Sequence, residues 1–257
     1  MTTTPLLAPT PIGDVLEALT PGDLRVSPAL AHNAVASPHP RATLAAGAPS
    51  NQQILDASKQ FYSGHHAVVD ATTENAKSVA QSQPAYVKQL NGYDWNSQQL
   101  TQDEQSTTSS SIFGSNGAGG LWGPALDNVK ADQLFTTIGV GVSADVQFFI
   151  GGAGGLGCVW DIAKREGPKG YGYATGELGL RITAAINVQC VIFNQLPSAL
   201  SYDVFGLKVS IDAGISLAFQ MFYTNLSSLT LLGFGVGVGV GVGGGATVFG
   251  GHIWNFG

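Results

Sequence analysis

The chain has 257 residues and a formal net charge of −6, with 11% charged residues and 35 glycines. That length admits one large domain or a medium domain with an appendage. The acidic balance and the lack of basic stripes exclude a nucleic-acid partner, because phosphates need Lys and Arg to neutralise them.

Residues 1–49 hold eight of the twelve prolines and few aromatic groups. Such a composition cannot bury enough apolar surface to offset its ordering entropy. A disordered leader is expected there, carrying one short helix from Gly13 to Leu19. No basic region followed by an apolar run opens the chain, so no classical signal peptide is expected. The expected location is cytoplasmic, or secreted by a non-classical route.

From residue 50 to 95 the period turns helical. Ser50 can cap, and Ile54, Ala57, Phe61, Val68, Ala76, Val79 and Ala80 recur at three- and four-residue steps. Pro84 ends or kinks that helix. Residues 96–130 read as a polar, Gly/Ser-rich linker.

An all-β domain, an antiparallel barrel or sandwich of long amphipathic strands, is expected over 131–257. From Thr137 the period becomes two. Ile138, Val140, Val142, Ala144, Val146 and Phe148 share one face, opposite Gly139, Gly141, Ser143, Asp145 and Gln147. The same beat returns from Leu178 to Ile192 and from Phe205 to Met221. In the last run Leu232, Phe234, Val236, Val238, Val240 and Val242 alternate with an unbroken line of glycines. Successive strand side chains point to opposite faces, and a helix cannot generate this spacing. The runs far exceed the usual strand of about 5–6 residues, so the strands either bend with Gly at the corners or hide a turn. Connections are expected at Glu166–Gly170, Leu196–Leu200 and Asn225–Ser228. The shared Gly-Val repeats suggest that the first and last strands are neighbours, with their Gly faces either receiving the 51–82 helix or left open for a partner.

Candidate chemistry is sparse. Gly152-Ala-Gly-Gly-Leu-Gly157 matches GxGxxG after the strand-like Val146–Ile150. It resembles the nucleotide loop of short-chain dehydrogenases, where backbone amides cradle pyrophosphate at a helix N-terminus. That resemblance implies an NAD(P)-dependent enzyme, yet it covers about twenty residues and the family's Tyr-x-x-x-Lys is absent. Strand alternation through Leu156, Cys158, Trp160 and Ile162 accounts for the same stretch as part of a hairpin. His66 and Asp70 lie four apart on the helix, and no third ligand accompanies them. His252, beside Trp254, reads as a hydrogen-bonded histidine at a strand end. Cys158 and Cys190 fall on apolar phases and read as buried thiols, with a single bridge as the alternative. No catalytic residue, metal site or cofactor is expected.

Aromatic residues bracket aliphatic bands: Tyr171, Tyr173 and Phe193 on one run, Phe205, Phe219, Phe222 and Tyr223 on the next, Phe234, Phe249, Trp254 and Phe256 on the last. Aromatic girdles mark membrane barrels, and residues 213–257 contain no Asp, Glu, Lys or Arg. The expected function is therefore a non-catalytic β-domain that binds a lipid membrane or a protein partner, effector- or toxin-like, with oligomers admitted. Val236, Val238, Val240, Val242, Phe249 and Trp254 are the contact candidates. The alternatives are the NAD(P) enzyme and a self-assembling structural protein.

Overall fold

The computed structural model describes residues 12–24, 49–82, 122–164, 169–224 and 228–256. Most of the expected leader, and the linker as far as residue 121, lie outside these residues. Among the described residues, three helices and four strands follow in chain order: α1 (Ile12–Ala18), α2 (Asn51–Ser82), α3 (Gly123–Asp132), β1 (Thr137–Asp161), β2 (Lys169–Phe193), β3 (Tyr202–Tyr223) and β4 (Leu231–Asn255). A short 3-10 turn, Pro197–Ala199, lies between β2 and β3. The end of the expected linker is thus the helix α3, which starts with a Pro in its first turn and stops at a left-handed Gln133. Pro fits a helix start because the first N–H groups have no intrahelical partner.

The N-terminus of α2 closes as its sequence predicts. Gln53 N–H donates to Ser50 Oγ at 3.2 Å, and Ser50 N–H donates to Gln53 Oε1 at 2.8 Å. This reciprocal capping box satisfies two donors that the helix leaves open.

The strands form one antiparallel sheet in the order β1-β2-β4-β3. β1 and β4 are therefore not neighbours, contrary to the reading of their shared Gly-Val repeats, because β2 lies between them. The register aligns the apolar phases of all four strands into rows. The first row is Ile138, Ile192, Phe234 and Met221, and the second is Val140, Cys190, Val236 and Phe219. The third is Val142, Val188, Val238 and Leu217. Fourth come Ala144, Ile186, Val240 and Ile215, and fifth Val146, Ala184, Val242 and Ala213.

A straight strand of 25 residues would reach about 80 Å. These strands instead double back. In β4 the bend falls at Gly243, Gly244 and Gly245, with φ of 111°, 124° and 132°, a backbone region that side-chain-bearing residues rarely adopt. In β1 it falls beside a register shift between Phe148 and Ile150. Here the expectation of glycine at the corners holds for β4.

The doubled halves meet through their glycines. A Cβ on Gly139 would lie 2.8 Å from the Cys158 carbonyl oxygen, and one on Gly155 would lie 2.9 Å from Gln189 Oε1. Cβ atoms on Gly141, Gly157 and Gly206 would collide with the carbonyl oxygens of Leu156, Val140 and Met221. The ends of the β1 fold-back are joined directly, Ile162 N–H donating to Thr136 O at 2.9 Å.

Two cores result. Inside the fold-back, Val159, Tyr171, Tyr173, Val191, Phe193, Phe222 and Phe249 pack together. Outside it, α2 and its neighbours cover the Val/Ile face, with Phe61 against Phe234 at 5.6 Å between ring centroids. The helix therefore lies on the opposite face from the one the glycine pattern suggests. A helix needs side-chain volume to bury, about 1.5–3 kcal/mol for each large aliphatic group, and a Gly face offers none. Bare backbone is what the other half of a doubled strand can approach.

Candidate functional site

The helical cover stops partway along the apolar face. In the first two rows every residue is buried. Val142 and Leu217 in the third are half-buried. Beyond that, Ile186 is 54% exposed, Val240 66% and Val242 60%, and Ala144 and Ala184 are exposed as well. Ile186 and Val240 are direct cross-strand partners, so these side chains form one patch next to the bend.

The contact candidates are thus divided. Val240 and Val242 belong to the exposed patch. Val236 and Val238 lie under the helical layer, and Phe249 packs in the inner core. Trp254 is half-buried at the far end of the strand, 4.9 Å from the ring of His252. The bracketing aromatics are largely interior: Tyr171, Tyr173, Phe193, Phe219, Phe222, Tyr223 and Phe234 are all buried. They fill the two cores and form no external girdle.

The inner face carries a polar cluster. Lys208 of β3 and Asp145 of β1 form a buried ion pair between the two edge strands of the sheet, across the fold-back. Beside it Tyr173 donates to Gln220 Oε1 at 3.0 Å, and Gln189 Nε2 donates to the same oxygen at 3.1 Å. Sequence alternation placed polar residues on this face without indicating which would pair.

The Gly152–Gly157 stretch is strand throughout. Its ladder with β2 runs from Gly152 opposite Gly176 to Gly157 opposite Tyr171. β1 continues through it to Asp161, and among the described residues no helix opens after it before β2, so the stretch has no helix N-terminus with which to cradle a pyrophosphate. The chain turn itself comes later, after Asp161.

His66 and Asp70 do not pair. Tyr62 Oη donates to Asp70 at 2.9 Å, and His66 Nδ1 lies 3.4 Å from Ser63 O. The neighbouring His65 makes the closer contact, Nδ1 to Asp132 Oδ2 at 2.6 Å. It alone interrupts the helical backbone of α2, with φ −128° and ψ 19°, and its ring stacks on Phe61 at 4.8 Å. It borders an open groove of about 620 Å³ lined also by Ala57, Gln60, Tyr223, Leu229 and Leu231. The partner is 67 residues away in sequence, a separation that leaves no local pattern.

Both cysteines are free thiols. Burial pushes Cys190 up to about 12, against a hydrogen bond from Asn75 that lowers it, and burial pushes Cys158 up to about 11. Burial likewise raises the Tyr223 phenol to about 12, opposed by its Ser58 contact. Groups held neutral in this way are poor nucleophiles.

No protein-family model matches the chain, and no curated protein and no solved structure matches it.

Proposed function

We propose that this chain is a β-domain that docks reversibly on a lipid surface through the uncovered end of its apolar face. The observation that carries the reading is a face of five aligned apolar rows, in the last two of which the described side chains, Ala144, Ile186, Val240, Ala184 and Val242, stand exposed. Ile186, Val240 and Val242 are the groups that enter the lipid. The absence of any Asp, Glu, Lys or Arg from residue 213 onward suits a bilayer, where a charge costs several kcal/mol.

Size limits the depth. From Ala144 to Phe148 at the β1 bend is five residues, about 16 Å of strand, against a hydrocarbon core of about 30 Å. The uncovered end reaches one leaflet and does not span. Burying three side chains that are half to two-thirds exposed contributes about 3–5 kcal/mol before any cost of immobilisation. That is comparable to a single lipid anchor and gives reversible binding. An effector-like role fits such docking.

Flotation of the purified chain with dye-filled phosphatidylcholine vesicles tests this. The expected result is protein in the vesicle fraction with the dye retained. Protein left wholly at the bottom of the gradient removes the proposal, and dye release removes the single-leaflet depth.

A further inference from the structure

At the end of the sheet opposite the bend, three side chains stand in a chain of hydrogen-bond contacts. His252 on β4 is the cross-strand partner of Asp203 on β3. Its Nδ1 lies 2.7 Å from Asp203 Oδ1, and its Nε2 lies 3.5 Å from Ser201 Oγ. Ser201 is exposed, in the connection that follows the 3-10 turn. A carboxylate on Nδ1 and a hydroxyl on Nε2 is the arrangement that makes serine a nucleophile. The carboxylate fixes the tautomer and the imidazole receives the hydroxyl proton. Such contacts are commonly long without substrate and tighten when it binds.

We propose that Ser201, His252 and Asp203 form a serine-nucleophile site for acyl transfer from small esters, an activity beyond lipid docking. Ser201 Oγ attacks the ester carbonyl carbon while its proton passes to His252 Nε2. The tetrahedral adduct collapses, the C–O bond to the alcohol breaks, and the alcohol leaves with that proton. Water then attacks the acyl-serine, giving its proton to His252, and the carboxylic acid departs as Ser201 recovers its hydrogen. Asp203 is a positioning residue: it orients the ring and stabilises the imidazolium. Trp254, two residues from His252 on the same strand face and 4.9 Å from its ring, offers a flat apolar platform. An aromatic or short acyl group is the substrate part that fits it.

The site does not depend on the docking patch. Asp203 pairs with His252 and Asp212 with Gly243 at the bend, nine ladder steps apart, or about 30 Å. The substrate is therefore an ester in solution and not one held in the docked bilayer.

Treatment of the full chain with a fluorophosphonate, followed by mass mapping, tests the nucleophile. An adduct on Ser201 is expected, with p-nitrophenyl acetate hydrolysis falling at least about tenfold in Ser201→Ala and in His252→Ala. Asp203→Asn should lower kcat at unchanged KM, because it favours the wrong tautomer. Circular dichroism of Ser201→Ala and Asp203→Asn should match the parent, since Ser201 is exposed and Asp203 is 61% exposed. Absence of a Ser201 adduct, or equal hydrolysis by parent and Ser201→Ala, overturns the proposal. A raised KM with kcat retained in Asp203→Asn overturns the role given to Asp203.

Discussion

The first two rows of the apolar face and the last two are built from the same kinds of residue, yet the first pair is fully buried, whereas Ala144, Ile186, Val240, Ala184 and Val242 of the other are exposed. Val236 and Val240 sit four apart on one strand, in one run of alternating Gly and Val; the first is fully buried and the second 66% exposed. What separates them is the reach of the helical layer. Strand sequence sets which way a side chain points, and a distant segment decides whether it meets protein or solvent.

The largest effects are expected where cover and core meet. Phe234→Ala removes a ring that packs on Phe61, Phe135 and Phe219. It should cost about 3–5 kcal/mol in urea unfolding. Lys208→Ala should cost a similar amount, about 3–5 kcal/mol, because it leaves the Asp145 carboxylate buried without its partner. Replacing both, as Lys208→Met with Asp145→Leu, should recover most of that loss. If the double variant is no better than Lys208→Ala, the ion pair is not what holds the two edge strands together.

Inner and outer faces can be compared in the same way. Gly141→Val places side-chain atoms where the Leu156 carbonyl lies, and overpacking of this kind costs about 1–3 kcal/mol or more. The same added volume at exposed Ala144, as Ala144→Val, should change the unfolding midpoint little, within about 0.5 kcal/mol.

The alkaline side supplies a further contrast. Cys190 and Tyr223, raised from ordinary values of 9.0 and 10.0 to about 12, are neutral in the folded chain. Unfolding lets them ionise at lower pH, so the folded state binds more protons between those values and stability falls as pH rises. Their contribution is complete below about pH 9 and lost by about pH 12. Cys190→Ala should flatten part of that decline. At pH 8, iodoacetamide should leave Cys190 unmodified in the folded protein and label it in urea.

Much of this architecture was legible in the sequence. The two-residue beat beyond Thr137 indicated the strands, and Ser50 as a cap marked the start of α2; its reciprocal partner Gln53 emerged only in the structure. A bend at glycine was one of two options that the long runs left open, and the structure places it at Gly243–Gly245. The order of strands was not legible, because Gly-Val repeats in β1 and β4 are equally compatible with a strand between them. Nor was the face chosen by α2: alternation is symmetric, and only the demand of a helix for volume breaks the tie. The contacts of His65 with Asp132 and of His252 with Asp203 and Ser201 join residues 67, 49 and 51 apart. No local spacing records them.

Val240→Asp with Val242→Asp is the substitution expected to matter least for folding and most for docking. Both side chains are largely exposed, so the thermal midpoint should stay unchanged. Vesicle flotation of this double variant beside the parent is the decisive comparison. A drop of at least about tenfold in the vesicle-bound fraction, equivalent to about 1.4 kcal/mol, is expected. Equal partition of the two proteins would contradict the assignment of the open rows to a lipid surface.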